Sequence, residues 1–360
     1  MSSDHGGDHS DMTASGPSLS DSPDAAPRAD VIVVGGGISG LACARALDGR
    51  GVPVRVLERS RRVGGRLSSP PLPRDGADAR PVEPRPVESR PVDMGAAYFT
   101  VSDDEFGEQV ADWERRGLAR PWTDTLLAWS GGSFESKSGP QRWAAPGGLR
   151  SLVADLAEGL RIDTGRTVSE ITPGPVVDGE PARAVVLAMP DPQAVRLVRA
   201  PMRSAEVLAD RPWEPVIAVA LGYGSRTWEE FPAAFVNDHP TLSLLADDGS
   251  RRGDDAPVLV AHTTGDLARR HLDEPDGVVP AVVDAVTEVL GLDERPLWTH
   301  AHRWTFASPA DPHDTPADRP FHLDDDLVAV VGDGWGSPKV ETAWRSGTLL
   351  GRALAARVTR

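Results

Sequence analysis

The chain has 360 residues, a length that suits two interleaved domains better than one compact core. Its 39% hydrophobic and 26% charged residues are typical of a globular protein. The net charge of −16 argues against nucleic acids and anionic membranes as partners, because both attract basic surfaces.

The cysteine count and the hydropathy further limit which class of protein this is. A single cysteine, Cys43, excludes a disulfide framework and a thiolate-rich metal site, and we expect no bound metal. No apolar run approaches the ~20 residues of a membrane-spanning helix. The first residues have neither the basic nor the apolar region of a signal peptide, so the sequence predicts a cytoplasmic protein.

The chain begins with a polar tail and a βαβ unit. Residues 1–28 are rich in Ser, Asp, Gly and Pro, and we expect them to be disordered. From Ala29, the segments ADVIVV, GGGISG, LACARALDGRG and VPVRVLE predict a strand, a glycine turn, a helix and a second strand. Together they form one βαβ unit.

A proline-rich insertion follows at residues 70–92. RPVEP, RPVES and RPVDM repeat at Arg80, Arg85 and Arg90. Because proline cannot continue a central strand or helix, we expect a surface excursion of polyproline type.

The remaining chain alternates helices and strands. DEFGEQVADWERRG predicts an amphipathic helix with Phe106, Val110 and Trp113 on one face. Helices are also predicted at GGLRSLVADLAEGL, GVVPAVVDAVTEVLG and VETAWRSGTLLGRALAARV, and strands at RIDTGRTVSEI, ARAVVLAMP, WEPVIAVALGYG, APVLVAHTT and LVAVVGDGWG. ITPGPVVDGEPARAV leaves little room for a strand hairpin, so we expect that hairpin to be missing.

Three glycines with GxGxxG spacing predict a dinucleotide site. Gly35, Gly37 and Gly40 follow the first strand and open the helix. They permit a tight turn, close approach of a pyrophosphate and helix-on-strand packing, and the helix N-terminus then faces the phosphates. Glu58 ends the second strand, where a carboxylate accepts ribose hydroxyls and disfavours a 2′-phosphate.

A second glycine loop indicates which dinucleotide binds. In RSRRVGGRL, Gly64 and Gly65 lie between Arg62 and Arg66. An FAD-binding domain uses such a loop because the FAD pyrophosphate lies across both glycine loops, whereas a nicotinamide-only domain has no need of it. Solvent-exposed surface charge is the alternative for the two arginines.

These motifs resemble the FAD-containing amine oxidase superfamily and, within it, the small bacterial renalase-like proteins. The matching segments are GGGISGL, ERSRRVGGRL, DMGAAYFTV, GGLRSLVADLAEGL, VVLAMP, HRWTFASP and VGDGWGSPKVETAWRSG. DMGAAYFTV and HRWTFA are the segments that point to the renalase-like branch.

The resemblance implies which residues hold FAD. The ADP half falls to the first glycine turn and Glu58, the pyrophosphate and ribityl chain to the second loop and the VGDGWG turn, and adenine to the main chain of Val168. Val340 and Glu341 open a helix whose N-terminus faces the flavin's pyrimidine end. The implied cofactor residues are Gly35, Gly37, Ile38, Ser39, Gly40, Glu58, Arg59, Gly65, Arg66, Val168, Gly332, Asp333 and Val340.

Aromatic and small residues are candidates for the substrate cavity. Asp93, Gly95 and Ala96 either let the main chain approach the isoalloxazine or begin a strand that enters the core. For His302 a structural role is the alternative, and for Trp335 it is plain packing. The cavity candidates are Tyr98, Phe99, His302, Trp304, Phe306 and Trp335. No catalytic acid or base stands out.

The predicted fold class is α/β, a doubly wound Rossmann-type FAD-binding domain with an inserted α+β substrate domain on an antiparallel sheet. The FAD-binding domain takes residues 29–100, 147–204 and 321–360, and the substrate domain takes 101–146 and 205–320. Cys43 is expected to be a buried, inert thiol on the wrong side of the dinucleotide to attach the flavin, so FAD is expected to be noncovalent.

The sequence thus predicts an FAD-dependent oxidoreductase that passes hydride from a small substrate to flavin N5, with dioxygen as the acceptor and hydrogen peroxide as the product. Renalase-like oxidation of dihydronicotinamide dinucleotide isomers is favoured. Oxidation of a primary or secondary amine is the alternative, and a non-enzymatic binding protein of the same fold is the alternative of another class.

Overall fold

The computed structural model describes residues 30–73 and 89–359. The predicted polar tail at 1–28 and the repeats at Arg80 and Arg85 lie outside these ranges, so the expectations for them stay predictions.

The helices of the described chain are α1 (Ile38–Asp48), α2 (Asp104–Arg115), α3 (Arg150–Ala157), α4 (Asp191–Ala194), α5 (Arg203–Leu208), α6 (Asp248–Arg252), α7 (Gly265–Arg270), α8 (Val279–Leu290) and α9 (Val340–Val358). The strands are β1 (Val31–Val34), β2 (Val54–Glu58), β3 (Pro71–Pro73), β4 (Ser89–Pro91), β5 (Phe99–Thr100), β6 (Arg120–Ser130), β7 (Ser133–Ala144), β8 (Arg161–Thr164), β9 (Ile171–Thr172), β10 (Val176–Val177), β11 (Glu180–Pro181), β12 (Ala184–Leu187), β13 (Trp213–Gly222), β14 (Ala233–Val236), β15 (Leu242–Asp247), β16 (Val258–Thr263), β17 (Trp298–Pro309), β18 (His322–Leu323) and β19 (Val328–Val330).

A six-stranded sheet has the order β18-β19-β12-β1-β2-β8. Its strands are parallel except for the edge strand β18. Every residue of β1 is buried, because α1, α3 and α9 cover one face of the sheet and the segment around α4 and α5 covers the other. The predicted doubly wound Rossmann-type fold is confirmed.

Helices α1 and α9 pack closely against each other. A side chain at Gly347 of α9 would collide with the carbonyl oxygen of Ser39, and one at Gly351 would lie 2.6 Å from the carbonyl oxygen of Cys43. The last helix of the chain therefore buttresses the helix that follows the glycine turn.

An eight-stranded sheet has the order β17-β13-β16-β15-β14-β6-β7-β5. Its neighbouring strands are antiparallel except for β14 and β6. Residues Ile217, Val219 and Leu221 of β13 pack in the cluster that contains α8. Ala218 and Ala220 point to the opposite face. That second face is turned toward the Rossmann-type sheet.

The predicted helices α2, α3, α8 and α9 are confirmed. Helix α2 buries Phe106, Val110 and Trp113, as its pattern predicts. The side chain of Asp103 accepts a hydrogen bond from the Phe106 N–H at 3.0 Å and caps the helix. None of the helices in the described ranges combines the length and the apolar character needed to cross a bilayer.

Two local expectations are wrong. The segment expected to lack a hairpin folds into the three-stranded antiparallel sheet β11-β10-β9, because strands of two residues need little chain. Arg90, expected in a surface excursion, is 5% exposed in β4, which pairs with β3. The domain boundaries themselves remain a prediction.

Candidate cofactor and substrate site

A cavity of about 1870 Å³ lies between the two large sheets. It exceeds the ~300–1,000 Å³ of a typical small-molecule site. Every cofactor residue implied by the resemblance lines it except Gly40. Of the substrate-cavity candidates, Tyr98, Phe99, His302, Trp304 and Phe306 line it and Trp335 does not. There is room for a dinucleotide and a second molecule.

The glycine turn forms one end of the cavity. Gly35 has φ +112°, and a side chain there would lie 2.5 Å from the Ala188 carbonyl oxygen. Gly40 packs against the Gly35 carbonyl, which explains why it does not reach the cavity. Gly37 has open space where a side chain would be, and no side chain caps α1. Its free N–H groups therefore face the cavity and suit a phosphate.

Glu58 is a buried carboxylate beside this turn, with 7% of its surface exposed. Its Oε2 accepts from the Gly36 N–H and its Oε1 from the Ser60 N–H, both at 2.7 Å. Each carboxylate oxygen keeps a second lone pair, so both can also accept a ribose hydroxyl.

Arg66 and Asp333 connect the second glycine loop with the last one. Nη1 donates to Oδ2 at 2.7 Å and Nη2 to Oδ1 at 2.5 Å. Nη1 also donates to the Ala307 carbonyl at 3.0 Å, and the guanidinium lies 5.0 Å from the centre of the Trp213 ring. The pair closes the cavity wall where the two sheets meet.

The start of α9 lies at the same wall. Val340 lines the cavity, and Lys339 provides no side-chain cap. Glu341 turns away instead. Its carboxylate accepts from the Ser102 N–H at 2.6 Å and the Asp103 N–H at 2.7 Å. The N-terminal N–H groups of α9 are thus left for a ligand, and Glu341 secures the start of α2.

Aromatic side chains form the substrate half of the cavity, meaning the lining contributed by the eight-stranded sheet and by Tyr98. Trp304 donates from Nε1 to the Met94 carbonyl at 2.6 Å and contacts His302, with ring centres 4.3 Å apart. The Phe306 ring lies 5.9 Å from the Arg196 guanidinium. Phe99 is 2% exposed and mostly packs in the core.

Gly95 lines the cavity, so its predicted approach to the isoalloxazine stays a prediction, and the structure shows a second reason for a glycine here. A side chain there would collide with the carbonyl of Arg66 and lie 3.4 Å from the Trp304 ring. The glycine therefore lets the DMGAAYF segment pass close to the second glycine loop.

Two histidines of the substrate half lie on one row across the sheet. His262 of β16 and His302 of β17 both pair with Ala218 of the strand between them. Burial, reinforced by Arg251, lowers the pKa of His262 to about 4. Burial, with His300 and Arg303, also lowers the pKa of His302. Both imidazoles are therefore neutral at neutral pH, and their proximity was not predicted from the sequence.

The cavity is cationic although the chain has a net charge of −16. Nine arginines and one lysine line it, against two carboxylates, Glu58 and Asp333. Both carboxylates belong to the cofactor end. Within the described chain, the substrate half has the Arg142 guanidinium and no acidic side chain, while the exposed Arg303 donates to the Leu272 carbonyl instead. Such a cavity favours anionic ligands.

Trp335 packs away from this site. It is 4% exposed and stacks on His313, with ring centres 3.8 Å apart and planes 3° from parallel. His313 in turn bonds Asp191 at 2.9 Å. Of the two alternatives for Trp335, the structure shows packing.

A buried ionic cluster, which sequence analysis missed, supports the cavity wall. Arg251 is fully buried and donates to the main-chain carbonyls of Ala97 at 3.0 Å and Asp93 at 3.2 Å. Burial alone would raise the pKa of Asp248, but neighbouring guanidinium groups, Arg251 first, hold it well below its usual value. Arg90 donates to the same carboxylate at 2.5 Å. The cluster fixes the DMGAAYF segment against the eight-stranded sheet.

The described ranges hold neither a metal-binding cluster nor a reactive thiol. No group of three or more His, Cys, Asp or Glu side chains there is arranged to hold a metal ion. Cys43 is fully buried in α1, and burial raises the pKa of its thiol to about 12, which is the inert state expected of it.

Two family models match the chain. Residues 33–112 match the NAD(P)-binding Rossmann-like domain. Residues 115–352 match the flavin containing amine oxidoreductase family. The chain belongs to this family, and it is an FAD-dependent oxidoreductase. This result excludes the non-enzymatic alternative. The glycine turn with its free N–H groups, the buried Glu58 and the large cationic cavity fit FAD.

Solved structures share the fold at low sequence identity. Cyclohexylamine oxidase from Brevibacterium oxydans is 17% identical, with a TM-score of 0.70 over 93% of this chain and 100% of that one. Wild-type putrescine oxidase bound to putrescine is 16% identical, with a TM-score of 0.63 over 92% and 99%. An oxidoreductase from Methanosarcina mazei is 14% identical, with a TM-score of 0.61 over 89% and 99%.

Proposed function

We propose that this enzyme oxidises dihydronicotinamide dinucleotide isomers, as renalase-like proteins do. Noncovalent FAD would accept the hydride from a ring C–H bond, leaving an aromatic nicotinamide cation, and dioxygen would take two electrons and two protons to give hydrogen peroxide. One observation carries the proposal: among the described residues, the substrate half is cationic and has no carboxylate. The proposal also includes a cytoplasmic location and the domain boundaries predicted from the sequence.

The walls of the substrate half suit a planar ring. Tyr98, Trp304 and Phe306 line it. Aromatic pairs contribute roughly 0.5–1.5 kcal/mol each beyond the area they bury. A flat, uncharged dihydronicotinamide needs only to be stacked, positioned and shielded from water.

The two neutral histidines support the same chemistry. Positive charge develops on the substrate ring as hydride leaves. Because the pKa values of His262 and His302 are lowered, neither imidazole adds a second positive charge beside that ring at neutral pH. Their nitrogens remain available as hydrogen-bond donors and acceptors for a carboxamide.

Amine oxidation is the second candidate. It is supported by the family model and by the fold shared with cyclohexylamine oxidase and putrescine oxidase. An ammonium group, however, would meet Arg142 without a compensating carboxylate among the described residues of the substrate half. A cationic substrate therefore fits this cavity less well than an anionic one.

Stopped-flow reduction of the flavin decides between the two. The purified holoenzyme is mixed anaerobically with an isomer mixture of dihydronicotinamide dinucleotide and, in parallel, with cyclohexylamine or putrescine. We expect rapid bleaching by the dihydronicotinamides and slow or no bleaching by the amines. Fast bleaching by an amine alone would assign the enzyme to amine oxidation. Acid precipitation should release all the flavin, whereas retained flavin would contradict noncovalent binding.

A further inference from the structure

Arg142 is a buried cation on the wall of the substrate half. It lies in β7, opposite Thr100 of β5, and 8% of its surface is exposed. Its Nη1 donates to the main-chain carbonyls of Asp124 at 2.8 Å and Pro140 at 3.2 Å. Its Nε is buried and has no hydrogen-bond partner within residues 30–73 and 89–359.

The charge of Arg142 is not neutralised by a described carboxylate. No ion pair within 4.0 Å involves it among those residues, and its other neighbour is the Tyr98 ring, whose centre lies 5.6 Å from the guanidinium carbon. Arg90 and Arg251, which are also buried, both pair with Asp248. Burying a charge is costly unless it is paired, so a bound anion would stabilise Arg142.

The aromatic contact specifies where that anion lies. Tyr98 lines the cavity and carries the guanidinium on its face, so the positive charge is held beside the aromatic walls rather than in open solvent. A ligand that places a ring among these walls would bring a substituent of that ring to Arg142.

We infer that Arg142 is a specificity-determining residue that binds a phosphate group of the substrate, so that the enzyme selects a flat ring joined to phosphate. This inference rests on the proposed function and adds to it the group that is recognised. A guanidinium presents several N–H donors in a plane, which matches the oxygens of a phosphate. A carboxylate offers related chemistry, and the experiment separates the two.

The first test compares substrates with and without phosphate. Dihydronicotinamide dinucleotide isomers and the corresponding dihydronicotinamide ribosides, which lack phosphate, are oxidised by wild type, Arg142→Gln and Arg142→Lys. Loss of a charge-assisted contact should raise KM for the dinucleotide by roughly 10- to 100-fold in Arg142→Gln, with a much smaller change in kcat. The riboside KM should change little, and Arg142→Lys should restore part of the loss.

Arg120→Gln is the matched control. Arg120 also donates to main-chain carbonyls, those of Ser250 at 3.1 Å and Arg251 at 3.2 Å, but it does not line the cavity. It should leave the ratio of the two KM values unchanged. Equal losses for dinucleotide and riboside in Arg142→Gln would overturn the inference, because they would indicate a structural role or neutralisation by another part of the chain.

The second test does not depend on turnover. Binding of inorganic pyrophosphate to the holoenzyme is measured by calorimetry, with benzoate as the carboxylate probe. We expect pyrophosphate to bind wild type and to lose affinity in Arg142→Gln. If no dihydronicotinamide reduces the flavin, the proposed function fails, yet this result would still support a phosphate site. Equal pyrophosphate binding by both proteins, or Arg142-dependent binding of benzoate alone, overturns the inference.

Discussion

Arg66 and Asp333, separated by 267 positions in the chain, form a two-pronged ion pair at the wall of the cavity. The same guanidinium bonds the Ala307 carbonyl of the eight-stranded sheet. One side chain therefore connects the second glycine loop, the last glycine loop and the substrate half. The relative position of the two sheets therefore depends on the two loops that are predicted to bind the cofactor.

Asp333→Asn should weaken both FAD binding and the fold. The exchange removes the charge that Arg66 faces, while the side chains of Arg66 and Asp333 are only 28% and 12% exposed. We expect the free energy of unfolding of the apoprotein to fall by about 1–2 kcal/mol after allowance for solvent screening. FAD affinity should fall by roughly tenfold or more, measured by flavin fluorescence titration.

A double-mutant cycle isolates the pair itself. Arg66→Gln, Asp333→Asn and the double variant should show a coupling energy of about 1 kcal/mol in urea unfolding. Asp326→Asn, an exposed exchange in the turn before β19, is the control. Additive effects of the two single variants would show that the ion pair contributes no stability.

Glu58→Gln should lower FAD affinity by about one to two decades, because charge-assisted hydrogen bonds contribute roughly 1.5–3 kcal/mol. Both Glu58 oxygens accept main-chain N–H groups at 2.7 Å, and an amide would turn a donor toward one of them. Equilibrium dialysis of FAD measures the change. Exposed Glu108→Gln in α2 should have no effect, and unchanged affinity in Glu58→Gln would place the adenosine elsewhere.

The glycine turn, the acid beside it and the buried face of α2 could be predicted because each depends on local sequence. A turn with φ +112° at Gly35 demands glycine whatever surrounds it. The acid at the end of β2 lies beside that turn because β1 and β2 are parallel neighbours. The helical period of α2 likewise fixes which of its side chains are buried.

The substrate half could not be predicted because it is assembled by pairing between distant strands. His262 and His302 become neighbours of Ala218 only through the order β16-β13-β17. Most of β7, which carries Arg142, is exposed and shows no alternating apolar pattern. Trp335 follows Asp333 closely in sequence, but the loop turns its ring to the other side of the sheet, toward His313.

Trp335 and Trp304 should therefore respond differently to exchange for leucine. Trp335→Leu removes a buried ring and should lower the free energy of unfolding by about 2–4 kcal/mol with little change in KM. Trp304→Leu removes a cavity wall and the bond to the Met94 carbonyl, and should raise KM several-fold. Urea unfolding and steady-state kinetics with the same substrate measure both. A large KM change in Trp335→Leu would contradict the packing assigned to it.

The half-buried imidazole of His262 should make the protein less stable in mild acid. Its pKa is lowered from 6.5 to about 4 in the folded chain, so between these values the unfolded chain binds the proton and the folded chain does not. The penalty is absent above about pH 6.5 and grows as the pH falls toward 4, reaching at most roughly 3 kcal/mol. His262→Asn has no proton to bind, so its unfolding free energy relative to wild type should rise by up to that amount between pH 7 and pH 4. Urea unfolding across this range measures the difference, and His271→Asn, the exchange of a histidine that does not line the cavity, is run beside it as the matched control. The difference in unfolding free energy between wild type and His262→Asn could instead stay constant with pH. His262 would then take up its proton as readily in the folded chain as in the unfolded one.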